Sequence, residues 1–251
     1  MALGSWDSGK GTVIGNMFSY DKGLTTLDVS NWDTSNVTSL IATFSGVSSL
    51  KTLDVSGWVT SKVTSLNSTF SGMTSVTALA VGTTVKSGKT VWDISKVTNL
   101  VSTFANDSSL TALPIDVWDT SQVISLNNTL SGLKLTTLNV SKWNTANVTF
   151  MGYLFQNDTN LTSLSFTNPD TGTFWDTSKV TSMAYMFYGN ASLTSLDLSG
   201  FNTGNVTTMV NMFNGDAKLT TLNIGNFTMS DSTVLTGMLT GANSLRTLTL
   251  G

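Results

Sequence analysis

The sequence predicts a solenoid, mainly β or mixed α/β, in which one parallel sheet of about nine short strands is joined by short helical or 3₁₀ return segments. A Leu-x-x-Leu-x-aliphatic motif occurs nine times, and its central Leu recurs at steps of 26, 26, 34, 25, 26, 32, 26 and 26 residues. A fixed period in this range indicates coils that bury their apolar faces only by stacking on one another. Ser and Thr supply 77 of the 251 residues and Glu is absent, which disfavours long surface helices.

The central leucines define the coils, which we number 1 to 9. They are Leu27, Leu53, Leu79, Leu113, Leu138, Leu164, Leu196, Leu222 and Leu248.

The first half of coil 1 reads as a strand followed by a turn. Residues 27–29 alternate apolar, polar, apolar, as a strand with one buried face does. Residues 32–36, with the sequence WDTSN, follow as a turn whose small polar side chains hydrogen-bond nearby backbone amides. We call residues 26–29 and their equivalents the strand segments.

The second half of coil 1 returns the chain toward the next strand. Val37, Leu40, Phe44 and Val47 are spaced by three and four residues, which predicts a short helix or a 3₁₀ segment. We call residues 37–47 and their equivalents the return segments.

The domain organisation follows from the repeat. Residues 6–251 form a single array, and residues 1–5, MALGS, are expected to be an expression remnant. Two insertions, at 82–91 and 167–174, lengthen coils 3 and 6 between strand and turn. Because the chain stops on a repeat strand without a polar capping unit, we expect a fragment of a longer protein whose signal and anchoring regions are absent.

Composition excludes several classes of partner. The net charge is −3 and only 11% of residues are charged, so there is no basic stripe for nucleic acid and no basic amphipathic face for a membrane. We expect neither nucleic-acid binding nor direct membrane insertion. There is no Cys, which excludes disulfides and thiolate metal sites, and we expect no metal and no cofactor.

The repeat resembles a known family. The pattern is seen in LDLSGFNTGNVTTMVNMFNG from Leu196 and in LDVSNWDTSNVTSLIATFSG from Leu27. It is similar to the BspA-like leucine-rich repeats, the bacterial surface protein 26-residue repeat family. The resemblance implies a right-handed leucine-rich-repeat coil, displayed outside the cell on a bacterial surface, with a role in adhesion. Many members carry a Cys after the Phe-x-Gly, whereas this chain has Val47, Met73, Asp107, Leu133, Asp158, Asn190, Asp216 and Ala242.

The outward side chains of the strand segments, which we call the strand face, are the predicted binding surface. Together with the insertions they give the candidate ligand-binding residues Thr26, Asp28, Thr52, Asp54, Thr137, Asn139, Ser163, Ser165, Ser195, Asp197, Thr221, Asn223, Lys86, Lys89 and Asp170. Insertions at one point of a repeat emerge on one side of a solenoid, often the binding side, although tolerated variation in loop length explains them equally well. No catalytic residue is predicted.

Two further columns have a structural and a functional interpretation. An aromatic column is either a buried stack or a platform for sugars, and we favour burial; its members are Trp32, Trp58, Trp92, Trp118, Trp143, Trp175, Phe201 and Phe227. A polar column either caps turn amides or binds calcium, and we favour capping because one acidic residue per coil is too few for calcium. Its members are Asp33, Asp93, Asp119, Asn144, Asp176 and Asn202.

The functional hypothesis is a non-enzymatic domain that binds a host or extracellular-matrix protein or a glycan, with weak end-to-end self-association as a further expectation. One alternative is a polysaccharide-active enzyme, because Asp28 and Asp54 are expected about 5 Å apart across adjacent strands, a spacing typical of retaining glycosidases. An open, wet sheet face and the absence of His and Glu argue against it. A passive stalk and an ice-binding Thr surface are the remaining alternatives.

Overall fold

The computed structural model describes residues 12–82, 85–86, 89–90 and 92–251. Over these residues the chain forms seven short strands and no helix. The strands are β1 (Thr52–Asp54), β2 (Ala78–Ala80), β3 (Val85–Lys86), β4 (Lys89–Thr90), β5 (Ser195–Asp197), β6 (Thr221–Ile224) and β7 (Thr247–Leu250). They make a parallel pair β1–β2, an antiparallel pair β3–β4 and a parallel sheet β5–β6–β7. A helix capable of crossing a membrane is likewise not found in this part of the chain.

The return segments carry the longest ladder in the molecule. One parallel bridge joins each return segment to the next at equivalent positions. The bridged residues are Val13, Ser39, Ser65, Asn99, Ser125, Phe150, Ser182, Thr208 and Val234. The coils therefore stack in sequence order, as the period predicts.

Backbone amides within a return segment alternate between two kinds of partner. In coil 1 the amides of Leu40, Ala42 and Phe44 donate to carbonyls of coil 2, at 3.2, 2.8 and 2.9 Å. Those of Thr43 and Ser45 donate instead to the carbonyl three residues earlier, both at 3.2 Å. Successive amides thus bond in turn to the next coil and within their own coil.

This alternation corrects the helical prediction for the return segments. Left-handed backbone occurs at two positions four residues apart, Ala42 (φ 53°) and Gly46 (φ 72°) in coil 1, and similarly in later coils. A right-handed helix needs negative φ throughout and amides that all bond within the segment. The described return segments are chains of turns, although their apolar residues point inward at the predicted spacing.

The strand segments correct the prediction of one continuous nine-stranded sheet. The coil 3 and coil 6 insertions follow directly after strand segments, and the step to coil 5 is one residue shorter. In coil 4, Pro114 has no amide to donate to a ladder. The parallel strands therefore form only where successive coils match, in coils 2–3 and 7–9.

A single hydrophobic core runs through the stacked coils, as predicted. The buried cluster extends from Ile14 to Met238 and includes Leu53, Leu79 and Leu222 among the central leucines. Three other central leucines, Leu27, Leu138 and Leu164, are half-buried against it. Stacking buries both sides of each apolar layer, which a lone coil cannot do.

The aromatic column lies inside this core, which confirms the structural interpretation over the sugar platform. All eight members are buried, and adjacent rings stack: Trp32 on Trp58 with centroids 5.9 Å apart, and Trp143 on Trp175 at 6.2 Å. The indole N–H of Trp58 donates to the Val29 carbonyl of the preceding coil at 3.1 Å.

Three carboxyl groups lie buried at the ends of return segments. Asp107, Asp158 and Asp216 occupy the positions where the resembled family often has Cys, and each is at most 2% exposed. The Met73 amide donates to Asp107 Oδ1 and the Asn190 amide to Asp216 Oδ1, both at 2.8 Å. Loss of hydration on burial raises the pKa of Asp216 to about 8 and raises those of Asp107 and Asp158 well above the ordinary value.

Candidate functional site

The strand face places its predicted side chains outward. All twelve candidates from the strand segments are exposed except Asn223, which is half-buried. In the sheet β5–β6–β7, Ser195 lies opposite Thr221 and Asp197 opposite Asn223. In coils 2 and 3, by contrast, Thr52 and Asp54 face alanines, so the hydrogen-bonding columns are interrupted there.

The Asp and Asn residues of the strand face are held by local hydrogen bonds. Asp28 Oδ1 accepts from the Ser30 amide at 3.0 Å and from its hydroxyl at 2.7 Å. The Ser30 hydrogen bonds lower the pKa of Asp28, so this carboxyl stays ionised. Asp54, Asn139, Asp197 and Asn223 each accept from the amide two residues later. These groups fix the turn that follows each strand segment.

Coils 5 and 6 gather four predicted residues around a groove of about 270 Å³. Thr137 and Asn139 line it from coil 5, and Ser163 and Ser165 from coil 6, with the half-buried Leu138 and Leu164 between them. A parallel bridge between Thr137 and Ser163 holds the two sides together. The groove has an apolar floor and a polar, uncharged rim.

The coil 6 insertion folds back as a small hairpin beside this groove. Thr167 and Phe174 form an antiparallel bridge, and the Asn168 amide donates to the Thr173 carbonyl at 2.7 Å. Asp170, at its tip, pairs with Lys142 of coil 5 at 2.7 Å, and the hydrogen bond to Asp170 raises the pKa of Lys142. The insertion is therefore tied to the neighbouring coil.

A second groove, of about 350 Å³, lies between the hairpin and coil 5. Its lining includes Lys142, Asn144, Asn168, Thr171 and Thr173, together with Trp143 and Trp175. Sequence reasoning missed Lys142, although a signal existed. The residue before the aromatic column is uncharged in the other coils, where it is Asn31, Gly57, Val91, Val117, Phe174, Gly200 or Asn226.

The coil 3 insertion is only partly described. The backbones of Lys86 and Lys89 lie opposite each other in the antiparallel pair β3–β4. Their side chains lie outside the described part of the chain, so the predicted binding roles of these lysines remain predictions.

The polar turn column has the predicted capping role. Asp33 Oδ1 accepts from the Ser35 amide at 2.9 Å, and Asp93, Asp119, Asn144, Asp176 and Asn202 repeat the contact two residues onward. Across the described ranges, no group of three or more His, Cys, Asp or Glu side chains is placed to hold a metal ion. The chemistry available at coils 5 and 6 is hydrogen bonding, the Lys142–Asp170 ion pair and the carboxylate of Asp176, which also lines the second groove.

Comparison with known proteins places this repeat in context. The family described as "Mycoplasma protein of unknown function, DUF285" matches residues 1–84, 74–171 and 163–249. None of the curated proteins compared with the chain matches it.

Among solved structures, a leucine rich cell surface protein from Faecalibacterium prausnitzii is similar at 14% identity and a TM-score of 0.37, covering 94% of this chain and 76% of that one. A leucine-rich repeat protein from Bacteroides ovatus has 16% identity and a TM-score of 0.25, with coverages of 99% and 78%. An internalin from Listeria monocytogenes has 15% identity and a TM-score of 0.25, with coverages of 90% and 80%.

Proposed function

From the premise that the chain belongs to the DUF285 family, we propose that it is a non-enzymatic ligand-binding domain of a bacterial cell-surface protein, with adhesion as its role. Its ligand is a host or extracellular-matrix protein or a glycan. The site is the strand-face groove of coils 5 and 6 together with the adjoining groove under the coil 6 hairpin.

The single observation that carries this proposal is the convergence of features at coils 5 and 6. Four predicted strand-face residues line one groove, and the insertion lines the next. The ion pair of Asp170 with Lys142 connects the hairpin to coil 5. Concave surfaces with a few fixed polar groups are the usual form of ligand sites.

The pKa values and the burial of the carboxyl groups support a binding function rather than a catalytic one. General acid catalysis by a carboxyl group needs a raised pKa, usually in a desolvated cleft. Asp28 has a lowered pKa and lies exposed, and the carboxyl groups with raised pKa values are buried in the core away from either groove. The resemblance to BspA-like repeats supports the extracellular location.

A blocking substitution tests the site. Ser163→Arg would fill the strand-face groove, whereas Thr247→Arg adds the same side chain at the equivalent exposed position of coil 9, outside both grooves. The array carries the proteins fibronectin, collagen and laminin and the glycans of mucin. We expect wild type to bind at least one of these components. Ser163→Arg should weaken that binding at least tenfold, and Thr247→Arg should leave it unchanged.

Two outcomes would overturn the proposal. Absence of binding to every array component would indicate a passive stalk. Release of reducing sugar from an array glycan, abolished by Asp54→Asn, would indicate the enzyme alternative.

A further inference from the structure

Aromatic side chains cluster on the return segments of coils 5 and 6, on a different side of the coil from the strand face. Phe150 is 44% exposed and Tyr153 39% exposed, whereas Tyr185 and Tyr188 are half-buried. The rings of Tyr153 and Tyr185 stack with centroids 4.8 Å apart and planes 7° apart. Tyr188 lies 5.6 Å from Tyr185, tilted by 53°. We call these four residues the aromatic patch.

The backbone under the two stacked tyrosines is left-handed. Tyr153 has φ 61° and Tyr185 has φ 58°. Other coils place small residues, mostly Asn, Ser or Gly, at this position: Asn16, Ala42, Ser68, Ser102, Asn128, Asn211 and Gly237. Asn and Gly tolerate this conformation, whereas a bulky side chain makes it unfavourable. The backbone conformation therefore does not favour tyrosine at these two positions.

Phe150 is an exposed aromatic residue at a position where most other coils have a small polar one. In the other coils the ladder position of Phe150 holds Ser39, Ser65, Asn99, Ser125, Ser182 or Thr208, with Val13 and Val234 in the terminal ones. Within the described part of the chain, the hydroxyls of Tyr153, Tyr185 and Tyr188 form no hydrogen bond with the protein. Strained backbone combined with exposed aromatic surface is typical of a functional site.

The surroundings of the aromatic patch decide which partner fits. Residues 149–157 and 181–189 contain no Asp, Glu, Lys or Arg, and the equivalent stretches of the adjacent coils, 124–132 and 207–215, contain none either. Nucleic acid or a charged protein surface would find no complementary charge here. A neutral glycan needs none, because pyranose rings pack their C–H faces on aromatic rings and hydrogen-bond to hydroxyl and amide groups.

We propose that the aromatic patch is a second binding site, for a neutral polysaccharide built of pyranose units. One face of the Tyr153 ring lies against Tyr185, and the part of Tyr153 that stays exposed, 39% of the residue, receives a sugar ring. The phenol hydroxyls, with the neighbouring Ser and Asn side chains, supply the hydrogen bonds. Phe150 extends the apolar surface toward the adjoining sugar unit.

A double substitution separates binding from folding. Tyr153→Asn with Tyr185→Asn removes both rings but places a residue that tolerates left-handed backbone. We expect the melting temperature to stay equal or rise. In affinity electrophoresis against β-1,3-glucan, yeast mannan, arabinoxylan and dextran, wild type should be retarded by at least one polysaccharide. The double variant should bind that polysaccharide at least tenfold more weakly, because two aromatic contacts are lost.

Two variants serve as controls. Tyr20→Asn makes the same change at an exposed tyrosine with φ 59° in the first return segment, and it should leave binding unchanged. Ser163→Arg on the strand face should also leave it unchanged, which separates this site from the one proposed above.

A footprint on wild type needs no substitution. The polysaccharide that retards the protein should protect Tyr153 and Tyr185, but not Tyr20, from nitration by tetranitromethane. The proposal is overturned if none of the four polysaccharides retards wild type, if the double variant binds as well as wild type, or if the footprint leaves both tyrosines unprotected.

Discussion

Along the return segments a bridge joins every pair of neighbouring coils from Val13 to Val234, whereas the strand segments form the separate sheets β1–β2 and β5–β6–β7 and an isolated bridge between Thr137 and Ser163. Both sides belong to the same coils and contribute to the same core. The return side repeats its length without interruption, while both insertions enter on the strand side. The comparison indicates that the return side maintains the stack and the strand side is free to vary in length and side chains.

Matched leucine truncations should give the largest difference between the two sides. Leu126, on the return side, is fully buried, and Leu164, on the strand side, is half-buried. Leu126→Ala should lower the free energy of unfolding by ~3–5 kcal/mol through the cavity it leaves. Leu164→Ala should cost ~1–2 kcal/mol because less apolar surface is removed from the core. Urea unfolding at unchanged m-value measures both, and equal costs would remove the energetic contrast.

Carboxyl groups on the two sides should respond differently to pH. The pKa of Asp216 is about 8 in the folded chain, and an unfolded Asp has a pKa of ~3.9, so the native state holds an extra proton between these values. The free energy of unfolding should therefore fall as pH rises from 5 to 8, by up to ~1.4 kcal/mol per pH unit from this group. Melting temperatures at pH 5, 6, 7 and 8 measure the slope.

Substitutions identify the carboxyl groups that make the free energy of unfolding depend on pH. Asp216→Asn should reduce it, and the remainder reflects Asp107 and Asp158, whose pKa values burial also raises. The lowered pKa of Asp28 means that this carboxyl is ionised throughout the range, so Asp28→Asn should keep the wild-type slope. A full slope in Asp216→Asn would contradict the assignment.

Two glycines with left-handed backbone should differ by a smaller amount in the stability lost on substitution with Ala. Gly189 (φ 77°) ends a return segment, and a Cβ there would lie 2.5 Å from Asn157 Oδ1. Gly172 (φ 70°) lies in the coil 6 hairpin with open space around it. Gly172→Ala should cost ~1 kcal/mol from the backbone alone, and Gly189→Ala should cost ~2 kcal/mol because Asn157 must also move. Thermal unfolding checks the order, and a larger cost at Gly172 would reverse it.

The exposed ion pair on the strand side should matter least for stability. Lys142 and Asp170 are 38% and 66% exposed, and solvent screens such pairs. Lys142→Ala should leave the free energy of unfolding unchanged within the precision of urea unfolding. A reproducible loss of stability would show that the hairpin contributes to the stack.

Sequence reasoning predicted the inward positions far better than the backbone between them. The period, the single core, the burial of the Trp column and the capping by Asp33 and its equivalents follow from residue type and spacing. The helical return was wrong because Leu40, Phe44 and Val47 have a spacing that a helix and a chain of turns share. Which amides bond to the next coil is a long-range property that one repeat does not contain. The Asn, Ser and Gly residues recurring four apart were the available signal.

The sequence predicted which face of the solenoid carries the candidate site, but not where on that face the site lies. Thr137, Asn139, Ser163 and Ser165 look like every other strand-face residue in the sequence, and only the stacked coils show that they share a groove. Tyr153 and Tyr185 escaped notice because they belong to no apolar or aromatic column of the repeat and stand where the other coils have Asn, Ser, Ala or Gly. Their left-handed backbone is visible only in the structure.

Native-state hydrogen exchange tests the central claim most directly. The return-side amides of Ala42, Phe44, Ser68 and Phe70 donate to the next coil. They and their equivalents should exchange only through opening that costs nearly the full free energy of unfolding. Amides of residues 137–139 and 163–165 should exchange through cheaper local opening. Equal protection on the two sides, or slower exchange on the strand side, would contradict the account.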